Sequence, residues 1–456
     1  MSLSNIAERT VKKALKLGAS QAEISVFSAD SALTRYTKNI IHQNVTAEIY
    51  YTNVEVAVGK NKRGSSAINS IDEKEIEKAV QRAIGISKVS TPDEGFKSFV
   101  EPKKIQPLDK IYRKTTAEYT PEQRVEGVKT IIDAAMDYSR FIKWSAGSFT
   151  TEQVGFGFAN SLGVNAETKY THATVEVTTM ADRDGEGTGF AILNGHDVKD
   201  FKLEEMARSA AKDAADSVNP KTIPIGDYEA IFPPEAVTTF TGFIGMLGFS
   251  AKSYQDGYSF ILDKIGSQVF DEKLTIVDDG RSLNTYNALP FDGEGTPKRK
   301  LSLLKKGVPE NLCYDNYTAT KDGVESTGHA LPKFVRGFFY RGFPLPVNQV
   351  VAPGDASLDE MIEDTKKGVY ITRLHYVNPI RRDKAVISGL TRDACWYIEN
   401  GEIKYPMKVM RFTDAIPRVF GEIDAVGDKT TVSKNANVTT PAFKVARFKF
   451  TGQSEF

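Results

Sequence analysis

Residues 3–17 place Ile6, Val11, Ala14 and Leu15 at roughly helical spacing, and Gly18 follows as a stop. The chain is therefore predicted to open on an amphipathic helix. Residues 22–69 change period: apolar and polar positions alternate between turn residues, which predicts several strands. Residues 72–88, DEKEIEKAVQRAIGISK, return to the helical period with Asp72 as N-cap. The same order then repeats. Residues 120–139 predict a helix capped by Thr120, with Pro121 in the first position and Gln123 in the capping-box position. Residues 143–182 predict strands, with NSLG at 160–163 as a turn, and residues 204–218 predict a helix that Asn219-Pro220 ends.

From Asp227 onward strands and turns dominate, apart from a helix beginning in FPPEAVTTF (232–240) and another in SLDEMIEDTKKG (357–368). Strand candidates are KLTIVDD (273–279), GVYITRL (368–374), CWYIENGEIKYPMKVMRF (395–412) and FKVARFKF (443–450). Asn400-Gly401 predicts a type I′ hairpin turn. The expected fold class is α+β: two N-terminal helix–sheet units followed by a β-rich C-terminal domain. The expected boundaries are 1–90, a Pro-, Gly- and charge-rich linker at 91–111, 112–222, and 223–456.

The length of 456 residues fits two or three domains. Lys+Arg and Asp+Glu both number 59, so net charge points to no nucleic acid, membrane or acidic substrate. The N-terminal pattern carries Glu8, Arg9, Lys12 and Lys13 where a secretory signal requires an apolar run, and a cytoplasmic protein is expected. Cys313 and Cys395 lie far apart, which suits a reducing compartment and leaves a disulfide between them open. The five histidines are His42, His172, His196, His329 and His375. No two lie within one helical turn, which excludes a zinc site of the HExxH type on a single helix.

Three stretches carry candidate chemistry. In FPPEAVTTF, Glu235 is either a residual general base or substrate contact, or a helix N-terminal carboxylate favoured by the macrodipole. PFDGEGTP (290–297) sets Asp292 and Glu294 between Gly293 and Gly295. Such carboxylates suit a cation or acid–base work, and the plainer reading is a tight turn with solvated acids. STGHA (326–330) places Ser326, Thr327 and Gly328 before His329. A Ser326–His329 nucleophile–base pair needs a third orienting group, and a loop contact is the simpler reading. His42, His172, His196 and His375 read as strand or surface histidines. Cys395 reads as inert core, while Cys313 has a more polar setting. PKRKLSLLKKG (297–307) reads as a solvated hairpin face.

FPPEAVTTFTGF, LTIVDDG (274–280), PFDGEGTP, STGHA, SLDEMIEDTKKGVYI (357–371) and WYIENGEIKYPMKVMRF (396–412) occur in one order. Together they resemble the TldD/TldE (PmbA) family of proteolytic proteins over nearly the whole chain. The resemblance implies that the TldD branch carries HExxxH on the helix opening its C-terminal domain. Its two histidines and a distant cysteine bind the metal, and its glutamate is the general base. Here Pro234 stands for the first histidine, Glu235 for the glutamate and Thr239 for the second histidine. The expected third-ligand segment, residues 427–437 (GDKTTVSKNAN), has no cysteine.

That is the pattern of the TldE (PmbA) branch. The resemblance therefore implies no metal or other cofactor in this chain, and zinc only in a TldD-like metallopeptidase partner. It also implies peptide substrates in a shared cavity, and a homodimer when the chain is alone. Residues 292–295 and 326–329 would lie near that cavity. Two alternatives stand beside this reading: an autonomous hydrolase with substituted ligands, and a non-proteolytic regulator, since family members have been named modulators of DNA gyrase.

Overall fold

The computed structural model describes residues 2–183, 185–333, 343–433 and 437–453. Helix α1 (Leu3–Lys16) is capped by Ser2 and turns Leu3, Ile6, Ala7, Val11 and Ala14 inward. Strands β1 (Gln21–Thr37) and β2 (Ile40–Val58) form a long hairpin over Lys38 and Asn39. Both turn residues have positive φ, 48° and 63°, the geometry that matches right-handed strand twist. β3 (Lys62–Ile68) follows, and α2 (Glu73–Val89) starts where Asp72 accepts from the amides of Lys74 and Glu75.

The second unit has the short α3 (Lys114–Ala117), then α4 (Pro121–Met136) behind a complete Thr120–Gln123 capping box. β4 (Ile142–Asn160), β5 (Asn165–Asp182), β6 (Glu186–Gly195) and α5 (Leu203–Asp216) complete it. The two units share one sheet of order β3-β2-β1-β4-β5-β6. β1 and β4 pair antiparallel from Glu23↔Asn160 to Tyr36↔Gly147. α1 and α2 cover one half of a face, over Ala22, Ile24, Val26, Val54 and Val56. α4 and α5 cover the other half, over Val175 and Val177. A Cβ on Gly187 or Gly189 would come within 2.2 or 2.0 Å of the Ala214 or Ala210 carbonyl oxygen, so glycine in β6 is what lets α5 lie on the strand.

The C-terminal domain begins with β7 (Gly226–Phe232), α6 (Pro234–Gly248) and α7 (Ala251–Gln255). It continues through β8 (Ile276–Asp279), β9 (Lys300–Lys305), β10 (Val308–Pro309), α8 (Asn316–Asp322), β11 (Gln349–Val351) and α9 (Leu358–Glu363). It ends with β12 (Lys367–Arg381), β13 (Val386–Glu399), β14 (Glu402–Pro406), β15 (Met410–Ala415), β16 (Ile423–Val426), β17 (Thr431–Ser433), β18 (Val438–Thr440) and β19 (Phe443–Gln453). One sheet runs β10-β9-β8-β11-β18-β17. In the other, β12-β7-β19-β15-β13 closes on itself because β13 also pairs with β12, so the barrel has no edge along that path.

Helix α6 packs on β7 and β12 of the barrel and on β17 and β18 of the other sheet. Phe240 anchors it, edge-on to Phe232 and Phe420 with ring centroids 5.0 and 5.2 Å away. The architecture is the α+β fold expected from sequence: helix–sheet units, then a β-rich part. No helix among the described residues is long and apolar enough to cross a membrane.

Candidate functional site

Pro234 occupies the first position of α6, where a missing N–H costs nothing, and Glu235 follows in the first turn. Glu235, Thr239 and Phe243 recur every four residues and so form one stripe along the helix. This stripe faces residues 373–377 of β12 across a cavity of about 340 Å³. β12 is irregular between His375 and Asn378, and Tyr376 takes a φ of 55°. The irregularity brings His375, an exposed residue of β12 as expected of a strand or surface histidine, to the edge of the cavity. Burial and the neighbouring Arg392 and Arg373 hold the His375 imidazole below its usual pKa. Arg373 is itself committed, paired with Asp393 and stacked over the Phe190 ring at 3.8 Å.

The potential ligand groups here are one carboxylate (Glu235), two hydroxyls (Thr239 and Tyr376) and one imidazole (His375). Proline offers none, and among the described residues no three His, Cys, Asp or Glu side chains converge to hold a metal ion. β17 and β18 bring the segment around residues 431–440 against α6, but residues 434–436 of the expected third-ligand segment lie outside the described residues. Both cysteines are free and buried in other places, with burial pushing the Cys313 thiol well up and the Cys395 thiol to about 12. Neither supplies a thiolate. This donor set does not fit the zinc centre of a metallopeptidase.

The other candidates gather elsewhere, in a buried polar network. His329 is 2% exposed: its Nδ1 meets the Thr327 carbonyl and hydroxyl at 3.0 and 2.9 Å, and its Nε2 lies 3.1 Å from Asp278 Oδ1. Asp278 Oδ2 accepts from Asn348 N at 2.7 Å. Burial raises the Asp278 pKa, but His329, Lys298 and the Asn348 amide outweigh it and hold the carboxyl below its usual range. Lys298 donates to Asn348 Oδ1 at 2.7 Å, and burial lowers its pKa. The basic run 297–307 was read as solvated; its Lys298 is instead buried, because it faces Asp278 and Asp292 from inside. Ser326 gives its hydroxyl to the Tyr314 carbonyl at 3.2 Å, so no Ser326–His329 pair forms.

Asp292 Oδ1 accepts from the amides of Glu294 and Thr296, and Oδ2 from Ala330 N at 2.9 Å. The turn is tight, but Asp292 is buried and Glu294 half-buried rather than solvated. Burial pushes Asp292 up to about 6 against the pull of these amides. Glu294 accepts from Asn316 N at 2.9 Å and is raised well above its usual value by burial and by Asp315, Glu23 and Asp292. The glycines serve this packing. A Cβ on Gly293 would lie 2.6 Å from the Leu331 backbone, and Gly295, at φ +78°, would meet Phe158.

The network ends at the N-terminal sheet. Glu23 and Glu55 are cross-strand neighbours on the face opposite α1 and α2, and Lys333 Nζ bridges them, 2.8 Å from Glu23 Oε1. Arg63 continues the chain of charge from Glu55 to Asp93. His172, read as a strand or surface residue, is also buried at this joint, stacked on Tyr286 with centroids 4.0 Å apart. Sequence reading assigned no role to Asp278, Lys298, Asn348 or Lys333; Asp278 lies in LTIVDDG and Lys298 in the basic run 297–307, and neither stretch shows which side chain turns inward.

Two family models match the chain: the PmbA/TldA metallopeptidase central domain over residues 114–218, and the C-terminal domain of the same family over residues 225–452. The metalloprotease PmbA of Escherichia coli O157:H7 is 24% identical over 97% of this chain and 96% of its own length. TldE of Thermococcus kodakarensis superposes with a TM-score of 0.89 at 20% identity, covering 98% of this chain and all of that one. A Thermotoga maritima protein described as a candidate modulator of a DNA gyrase gives 0.87 at 21% identity, over 99% of this chain and all of that one. The chain belongs to the PmbA/TldD metallopeptidase-related family.

Proposed function

We propose that this chain is the metal-free, TldE/PmbA-like subunit of a two-component peptidase. A TldD-like metallopeptidase supplies metal, water and general base, and this chain supplies part of the wall of a shared cavity that takes unfolded peptides. The observation that carries the reading is the donor set at the start of α6: Pro234, Glu235 and Thr239 beside β12, with no cysteine in residues 427–437. Substrate contacts come from the α6 cavity, where Glu235 and His375 offer a carboxylate and an imidazole to peptide groups. Residues 292–295 and 326–329 are held by internal hydrogen bonds in the buried network and are not among the lining residues of this cavity. Two free buried cysteines agree with a reducing, cytoplasmic setting.

An autonomous hydrolase would need Glu235 and His375 to work without further ligands, and a gyrase-directed regulator draws no support from a net charge of zero. The test is sedimentation of the purified chain at micromolar concentration, alone and with a TldD-like metallopeptidase of the same organism carrying an intact HExxxH. The expected result is a homodimer alone, replaced by a heterodimer with partner-dependent peptidase activity. A monomer that ignores the partner would overturn the reading.

A further inference from the structure

A second cavity, of about 440 Å³, lies where α5 of the central unit meets α9 and strands β12, β13 and β14. That volume suits a side-chain-sized ligand. Its aromatic wall includes Tyr370 and Trp396, which meet edge to face with ring centroids 5.5 Å apart. Tyr405 also lines it, but Tyr405 is already stacked on Tyr397 and carries Lys221 Nζ 4.8 Å over its ring.

The charges in the lining are unevenly matched. Lys212 pairs with Asp216 at 2.8 Å, and Lys404 pairs with Glu402 at 2.5 Å. Half-buried Asp213 lines the same cavity, and no hydrogen bond or ion pair to its carboxylate forms among the described residues. Asp359 of α9 adds a further acid at the rim. A half-buried carboxylate with no hydrogen-bond or ion-pair partner among the described residues, facing aromatic surface, is the arrangement that recognises an organic cation. It does not suit a hard metal ion, which needs several oxygen donors.

We infer that this cavity is a binding site for a primary alkylammonium group, with Asp213 as counter-ion and Tyr370 and Trp396 as the apolar wall. The inference is independent of the proposed function. Burial pushes Asp213 up to about 6, with Asp216 and Asp393 adding to the rise and Lys212 opposing it. A bound ammonium competes with that proton, so affinity falls as pH drops through about 6. The groups facing Asp213 are Lys212 and Asp216 of its own helix, Asp359 of α9, Tyr370 of β12, Asp393 of β13 and Lys404 of β14.

Calorimetric titration of the full chain with cadaverine, Nα-acetyl-lysine amide and Nα-acetyl-norleucine amide tests this. Cadaverine and the lysine amide separate a free amine from a lysine side chain as the source, and either one binding supports the site. Saturable binding is expected, at least about tenfold weaker for Nα-acetyl-norleucine amide, which carries no ammonium, and for Asp213→Asn, and weaker at pH 5 than at pH 7.5. No saturable binding of either amine below about 10 mM, or equal affinity in Asp213→Asn, would overturn the assignment.

Discussion

The start of α6 and the Asp278–His329–Asp292 network are built in opposite ways. At α6 the polar groups are few, half-buried (Glu235, Thr239) or exposed (His375, Tyr376) and open to a cavity, and the helix is held by apolar packing around Phe240. In the network the polar groups are many, sealed from water, and bonded to one another and to backbone amides. Low dielectric makes such a network strong when complete and costly when broken. The comparison teaches that DGEG and STGHA, which look like chemistry in the sequence, act as joinery between the C-terminal domain and the N-terminal sheet. The opening to a cavity belongs to the start of α6, beside Glu235 and Thr239.

The largest expected effect follows from cutting the network. Asp278→Ala strands Asn348 N and His329 Nε2 and removes one of the two acids, Asp278 and Asp292, that face Lys298. A loss of roughly 3–5 kcal/mol in denaturant unfolding is expected, the scale of a broken buried pair. A shift below about 1 kcal/mol would erase the contrast between the two regions.

The pH dependence sharpens the contrast within the network. Asp292 has a folded pKa near 6, above its ordinary value, so its contribution is present below about 4 and lost as pH rises through 6. Asp278 is displaced the other way: its contribution is present above the ordinary value and lost as pH falls through its lower folded pKa. Asp292→Asn should therefore flatten the decline in stability between pH 4 and pH 7, by about 1 kcal/mol or more. Asp278→Asn should remove part of the loss below pH 4. Parallel pH–stability curves for the two variants would contradict the opposed shifts.

The smallest effect is expected at α6. Glu235→Gln should change stability by no more than about 0.5–1 kcal/mol and leave the activity of the complex within a few-fold. A loss of roughly a hundredfold, the scale of general acid–base catalysis, would make Glu235 a catalytic residue.

Local signals were legible where the physics is local. Asp72, the Thr120–Gln123 box and the Asn400–Gly401 turn, with φ of 54° and 76°, each form as their residue types dictate. The strand at 273–279 shortens to Ile276–Asp279, and the helix at 357–368 stops at Glu363 because Lys367 already starts β12. The fusion of two units through β1 and β4 left no trace in periodicity, since any two amphipathic strands alternate alike. The site was legible at Pro234, Glu235 and Thr239, whose spacing lies on one helix. His375 was not, because its place in the cavity depends on an irregularity in β12 more than a hundred residues away. Lys298 was misread for the same reason: composition cannot show which lysine of a basic run turns inward to Asp278.

The central claim is that this chain holds no metal centre of its own, and metal analysis of the purified, zinc-loaded and desalted chain tests it most directly. The account predicts far less than one zinc per chain, and only weak zinc retention in Pro234→His/Thr239→His, which restores two ligands but not the third. Stoichiometric zinc in the unmodified chain, released together with a peptidase activity by a chelator, would contradict it.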